Sequence, residues 1–321
     1  MMKRERCISF IFGVIMVITI GLALMVGTRF LNGTVIWQAV HGRQPAALNL
    51  LLNYRLPRIV ASLIGGSVLA TAGALSQAVF RNSLADPSIL GIASAGDLLI
   101  VVGSLILPGF VGEKLILALL GGTIAFGLLM NRKTLSRPYQ LIIVGVALNL
   151  TFVGLQQVIT HGVTIGTVQG FNGLTWPSVW QLLLTGGMGL GIALILAPWA
   201  NHLKLPDEQL ATMGVSAKLM RVSLLGLIVY LSASVTAVVG VLPFVGIIVP
   251  NVARRLVGSD YLTLIPASIF GGAWLVLVVD TIGRLIVLPS ELSAATLLTV
   301  LGGPFLVFWV QRRDQVGVRS R

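Results

Sequence analysis

Cysteine, acidic side chains and long polar stretches are what this chain has least of. A single cysteine, Cys7, stands in 321 residues, which excludes an internal disulfide and a cysteine-built metal site. Charged residues make up 10% of the chain, where a soluble domain carries roughly 25%. No segment is polar enough to fold as a separate soluble domain. Histidine occurs three times, at His41, His161 and His202, all in expected connections and far apart in sequence, a poor basis for a zinc site. There is no GxxxxGK(S/T) loop, no HExxH and no GxSxG elbow. Their absence excludes P-loop ATP binding and leaves an intramembrane hydrolase without its parts. The expectation is therefore a protein that is not itself an enzyme and that carries no cofactor and no metal.

What the chain has instead is apolar length. Hydrophobic residues reach 56% and mean hydropathy is +0.96. A spanning helix needs roughly 20 apolar residues, so residues 1–321 accommodate about ten spans with short connections as one transmembrane domain. Only helices and closed barrels satisfy the backbone in lipid, and the apolar runs are far longer than the ~10-residue alternating strands of a barrel. The fold class expected is an all-α integral membrane protein with spans at 8–28, 58–80, 88–107, 114–131, 139–160, 178–200, 219–240, 242–257, 262–284 and 291–311. The segment 242–257 is short and holds Pro243 and Pro250, so a broken or tilted helix is expected there. The run from Ile8 to Val26, behind Lys3, Arg4 and Arg6, is long for a signal peptide and lacks a small-x-small cleavage site. It is read as the first span.

The net charge of +12 has its explanation in topology. Ten spans put both termini on one face. That face collects Lys3, Arg4, Arg6, Arg81, Arg132, Lys133, Arg137, Lys204, Lys218, Arg221, Arg254, Arg255, Arg312, Arg313, Arg319 and Arg321, while Arg29, Arg43, Arg55, Arg58, Lys114 and Arg284 fall on the other. Basic residues favour the cytoplasmic side, so both termini are placed in the cytoplasm. No basic stripe with interleaved aromatics suggests nucleic acid.

Few residues within the spans carry chemistry. Asp97 and Asp280 interrupt apolar runs, and intramembrane acids are functional candidates by default. Arg284 lies one turn beyond Asp280 and offers an i,i+4 partner. Asp97 has no partner nearby in sequence; it faces a water-filled passage or caps a broken helix. Two acids are thin support for a proton relay. Uncharged polar groups, among them Ser76, Gln77, Asn149, Thr151, Gln156 and Gln157, are the better path candidates, although each also fits an ordinary helix–helix hydrogen bond. The translocation set is Gln77, Asp97, Asn149 and Gln156. Ser62, Gly66, Ala70 and Ala74, four apart, form a smooth helix face suited to close approach in lipid.

Two connections stand out. On the inner side, "NHLKLPDEQLATMGVSAKLMR" runs from Asn201 to Arg221. Pro206 can open a short helix with Asp207 and Glu208 in its first turn, where the dipole favours acids, and Gly214 can close it. Such a helix on the inner face is a natural contact for a soluble partner. On the outer side, "NYRLPR" sets Arg55 and Arg58 three residues apart, free to meet lipid headgroups or the acids of an external partner.

The blocks "RLPRIVASLIGGSVLATAGALSQAVFRNSLADPSILGIASAG", "MGVSAKLMR", "VVGVLPFVGIIVPNVARRLVGSD" and "DTIGRLIVLPSELSAATLLTVLGGPF", with their spacing, resemble the FecCD-type permease subunits of ABC importers for ferric siderophores, haem and vitamin B12. The resemblance covers nearly the whole chain after the first span. It implies a type II ABC importer permease in the bacterial cytoplasmic membrane, paired with a second permease as homodimer or heterodimer. It also implies two cytoplasmic ATPase subunits that hydrolyse ATP, and an extracytoplasmic binding protein that delivers an iron-siderophore or related chelate. By the same resemblance, Arg55, Arg58 and Arg284 meet glutamates of the binding protein. Asp207, Glu208, Ala211, Gly214 and Val215 belong to the helix that fits the ATPase groove, and Pro138–Gln140 falls near an inner gate. The chain departs from the pattern at Asn251, where many members have histidine, at Asp97, where many have a small residue, and at Ser83, where proline is usual. An ion-coupled secondary transporter is the alternative reading.

Overall fold

The computed structural model describes residues 2–27, 30–106, 113–129, 138–161, 170–287 and 290–318, with side chains described within 12–311 except at 138 and 139. Every described element is helical. In chain order they are α1 (Met2–Met25), α2 (Gly33–Val40), α3 (Pro45–Leu50), a π turn (Leu51–Arg55), α4 (Leu56–Val79), α5 (Ile92–Ile106), α6 (Glu113–Leu129), α7 (Pro138–Thr160), α8 (Trp176–His202), α9 (Asp207–Thr212), α10 (Ala217–Val239), α11 (Val245–Val257), α12 (Tyr261–Ile286) and α13 (Ala294–Val318). Each of the ten expected spans has its helix. Among the described residues, six stretches are long and apolar enough to cross a bilayer unaided, and 12–25 and 92–106 are shorter apolar helices. Arg29, Arg132, Lys133, Arg137, Arg319 and Arg321 lie outside the described residues, and of the expected inner gate only Gln140 has a described side chain.

The central element is α4. Twenty of its 24 residues are buried, so it has almost no lipid face. Its largest contact is with α12, and α8, α10 and α11 complete the surround. The small face expected from Ser62, Gly66, Ala70 and Ala74 is the reason. A Cβ on Gly66 would collide with the carbonyl of Gly272, and one on Gly272 would meet Ala70 Cβ at 2.6 Å. Gly73 and Gly246 approach each other in the same way. Such backbone contact is how helices gain dispersion energy where lipid supplies no hydrophobic drive. Of the adjacent glycines at 186–187 and 302–303, Gly186 and Gly302 are packed, while Gly187 and Gly303 face open space.

The break expected near Pro243 is present. Residues 240–244 are not helical, with Gly240 and Phe244 at positive φ. The segment rejoins α11 where Gly246 lies on Gly73 and the Leu69 carbonyl. Irregular backbone at membrane depth is tolerated when protein covers it, and Gly240 and Leu242 are buried. At 13 residues, α11 is only about 20 Å long, too short to span alone. A second buried irregular segment, 80–91, lies beside it. Asp86 in this segment accepts hydrogen bonds from the Ser88 backbone N–H (2.7 Å) and hydroxyl (2.5 Å). Its other donors are the backbone amides of Ile89 and Gly246. It therefore sits at the N-terminus of α11, where four donors and the helix dipole offset the burial of a carboxylate. This turn also starts α5 at Ile92 rather than near 88.

Candidate functional site

At the outer end of α4, arginines converge. Arg55 closes the π turn and Arg58 lies in the first turn of α4, one turn on, so both point into the same space. Arg284, near the end of α12, joins them. They line a cavity of about 240 Å³ together with Tyr54, Asn172 and Glu291. None is an exposed charge: relative exposure is 5% for Arg55, 9% for Arg58 and 2% for Arg284. Asp280, fully buried, explains how. Arg58 Nε donates to both Asp280 oxygens at 3.0 Å and Nη2 donates to Oδ1 at 2.8 Å. Arg284 Nε donates to Asp280 Oδ2 at 3.0 Å, and its Nη2 adds a shorter bond to the same oxygen. The i,i+4 pairing of Asp280 with Arg284 is therefore present, but it is half of the arrangement. The carboxylate is wedged between two guanidinium groups. Arg58 Nη1 turns outward to Glu291 Oε2 at 2.5 Å.

The cluster also receives the end of α1. The last four carbonyls of a helix lack intrahelical donors. Here Leu22 accepts from the Val26 amide and Met25 from the Leu31 amide. Ala23 accepts from Arg284 Nη1 at 3.5 Å and Leu24 from Arg55 Nη1. Cations at a helix C-terminus also match its dipole. Arg55 and Arg58, expected to be open to headgroups or an external partner, are held within this chain as Arg284 is. The three do lie together at the outer end, yet within this chain they are engaged by Asp280, Glu291 and the carbonyls of α1.

At the inner end, α9 spans Asp207–Thr212 with Asp207 and Glu208 in its first turn, as expected. The Val215 amide donates to the Leu210 carbonyl and the Gly214 amide to the Ala211 carbonyl, both at 3.0 Å, with Gly214 at φ +72°. This is the Schellman closure that calls for glycine. Leu210 is fully buried as the anchor; Glu208, Ala211 and Gly214 are exposed, Val215 is half-buried, and Met213 is 60% exposed. Asp207 turns back toward the bundle. Arg221 in α10 holds it through Nη1–Oδ2 at 2.8 Å and Nη2–Oδ1 at 2.7 Å, and Arg81 Nη2 adds a contact at 3.0 Å. Its hydrogen bonds with Arg221 hold the Asp207 carboxyl below the usual carboxylate range, and the neighbouring charges act the same way.

Arg81 was not singled out by its sequence context. It takes a positive φ of 48°, an uncommon conformation for a side-chain-bearing residue, and donates to the carbonyls of Leu203 (2.8 Å) and Leu205 (2.6 Å). It rivets the segment after α4 to the α8–α9 connection.

The expected translocation residues separate. Gln77 is buried, donates to the Gly246 carbonyl at 3.1 Å and accepts from Arg254 Nη2 at 2.9 Å, so it ties α4 to α11 and is closed off within the chain. Asp97 finds a partner 59 residues away: Gln156 Nε2 donates to its Oδ2 at 2.8 Å, joining α5 to α7. Both residues are half-buried. Asn149 is half-buried beside Gly91. Two departures from the family pattern meet, since Asn251 Nδ2 donates to the Ser83 carbonyl at 2.9 Å. Of the six span-length stretches, α7 is the least covered, with 6% of its best apolar window buried. No group of three or more potential metal ligands occurs among the described residues.

The profile of the FecCD transport family matches residues 15–312. The heme-iron transport system permease protein IsdF of Staphylococcus aureus strain Newman is 34% identical over 314 residues, covering 97% of both chains. Its counterpart in the bovine strain RF122 is 33% identical over the same coverage. Among solved structures, an inward-facing metal-chelate type ABC transporter superposes with a TM-score of 0.78 at 24% identity, over 94% of this chain and 97% of that one. PsaBC from Streptococcus pneumoniae superposes with a TM-score of 0.58 at 13% identity, over 85% and 94%.

Proposed function

Because this chain belongs to the FecCD transport family, we propose that it is the permease of a binding-protein-dependent ABC importer that carries an iron chelate into the bacterial cytoplasm. It is an integral protein of the cytoplasmic membrane. ATP hydrolysis falls to a separate cytoplasmic subunit that docks on α9. A binding protein docks at the outer arginine cavity, and a second permease covers α7. Haem is the first cargo to test, because the relatives are named for heme-iron; ferric siderophore is the second.

The observation that carries this reading is the arrangement of both rims on one buried rod. Helix α4 holds Arg58 at its outer end, and the segment leaving its inner end places Arg81 on Asp207 of α9. The exposed side of α9, with Met213 and nearby Leu219 both 60% exposed, suits a soluble partner that pushes on the bundle.

The test is Asp207→Asn. Asp207 is half exposed, with a side-chain exposure of 50%, and exposed pairs contribute only about 0.2–1 kcal/mol each, so the fold survives. The clamp on Arg81 and Arg221 does not. In proteoliposomes holding the complete importer, the variant is expected to hydrolyse ATP at the parental rate while chelate uptake per ATP falls several-fold. Unchanged uptake per ATP would remove α9 as the coupling element.

A further inference from the structure

We propose that Glu291 occupies, within this chain, the position on Arg58 that a carboxylate of the binding protein takes on docking. This rests on the reading of the arginine cavity as the docking surface and adds the residue that competes for it.

The geometry of Arg58 divides its guanidinium in two. One edge, Nε and Nη2, is committed to Asp280 at 2.8–3.0 Å inside the bundle. The remaining nitrogen, Nη1, donates to Glu291 Oε2 at 2.5 Å. Glu291 differs from Asp280 in exposure, with side-chain values of 21% against 1%. It lines the same cavity as Arg55 and Arg284. It also lies on a short connection, held by the Leu292 amide donating to the Gly283 carbonyl at 3.0 Å and followed by Ser293, whose hydroxyl accepts from the Thr296 amide at 3.2 Å at the start of α13. An acid from outside that approaches Nη1 meets the Glu291 carboxylate already there, and like-charge repulsion sets the two in competition for it. The Arg58–Asp280 edge stays closed throughout, so the exchange leaves no buried guanidinium without a partner. Electrostatic complementarity of this kind sets register and encounter more than tightness. An internal carboxylate in the seat lowers the affinity of a partner whose own acid must compete with it.

Glu291→Gln removes the competing charge at Nη1 without removing the side chain's volume. Binding of the importer's own binding protein to the purified, reconstituted complex is expected to become roughly two- to five-fold tighter, the range that one exchanged partly exposed pair commands. Glu291→Asp, which keeps the charge with a shorter reach, should fall between Gln and the parent. Unchanged or weaker binding in Glu291→Gln overturns the proposal, because Glu291 then orients Arg58 rather than competing for it. Asn172, exposed at the mouth of the same cavity, separates this failure from that of the docking reading. Asn172→Glu should weaken docking and Asn172→Lys strengthen it at low salt, the two converging as salt rises. If neither moves docking, the cavity is not the docking surface. If both move it while Glu291→Gln does not tighten it, only the competitor role is lost.

Discussion

Asp280→Asn is expected to remove most of the folded protein. Asp280 is fully buried and bonded to Arg58 and Arg284. An amide of the same shape brings no negative charge and turns donors toward one guanidinium or the other. Breaking a buried charge pair from one side costs about 3–5 kcal/mol, against a total stability of about 5–15 kcal/mol for a typical protein. The variant should yield little monodisperse protein in detergent and unfold at a clearly lower temperature. A double variant adding Arg284→Met removes the excess cation while Arg58 keeps Glu291, and part of the loss should return. That non-additivity would identify uncompensated charge as the cause. Parental melting in Asp280→Asn would show that the acid does not hold the cluster.

The second large effect is Gly66→Ala, one methyl group. The new Cβ has no room: besides the colliding Gly272 carbonyl oxygen, Gly272 C lies at 2.7 Å and Val276 Cβ at 2.9 Å. The obstructing atoms include backbone and a branched Cβ, so no rotamer change relieves the overlap. The helices α4 and α12 must separate along their largest contact. Overpacking costs typically 1–3 kcal/mol, and a backbone collision at the centre of the bundle belongs at or above the top of that range. Gly187→Ala, where a Cβ meets nothing within 4 Å, should leave yield and melting unchanged. Equal behaviour of the two variants would contradict the close α4–α12 approach.

Much of this architecture was legible before any coordinate. Apolar length fixes the spans because lipid admits helices as its simplest solution, and the four-residue spacing from Ser62 to Ala74 marks the close face because helical periodicity is local. Helix α9 was readable nearly to the residue, since Pro206, Asp207, Glu208 and Gly214 act on the turns beside them. The partnerships were not readable. Asp280 offered only Arg284, four residues away; its second partner, Arg58, is 222 residues distant. Asp97 and Gln156 meet only because α5 lies against α7. Charge bias places Arg55, Arg58 and Arg284 on the outer side, but it is silent on burial, so their engagement by Asp280, Glu291 and the carbonyls of α1 emerges only in three dimensions. Helices α2 and α3 escaped notice because they are short, stand in a segment turned by Gly42 at φ +76°, and lack the length by which spans announce themselves. Asp86 carried no local signal of its partner, because the Gly246 amide that it accepts from is 160 residues away.

The most direct measurement is uptake into sealed vesicles with the components varied one at a time. The permease should move haem or a ferric siderophore only when its ATPase and binding protein are both present and ATP is supplied. Collapse of the ion gradient should leave that uptake intact. Accumulation driven by an ion gradient in vesicles holding this chain alone would contradict the account.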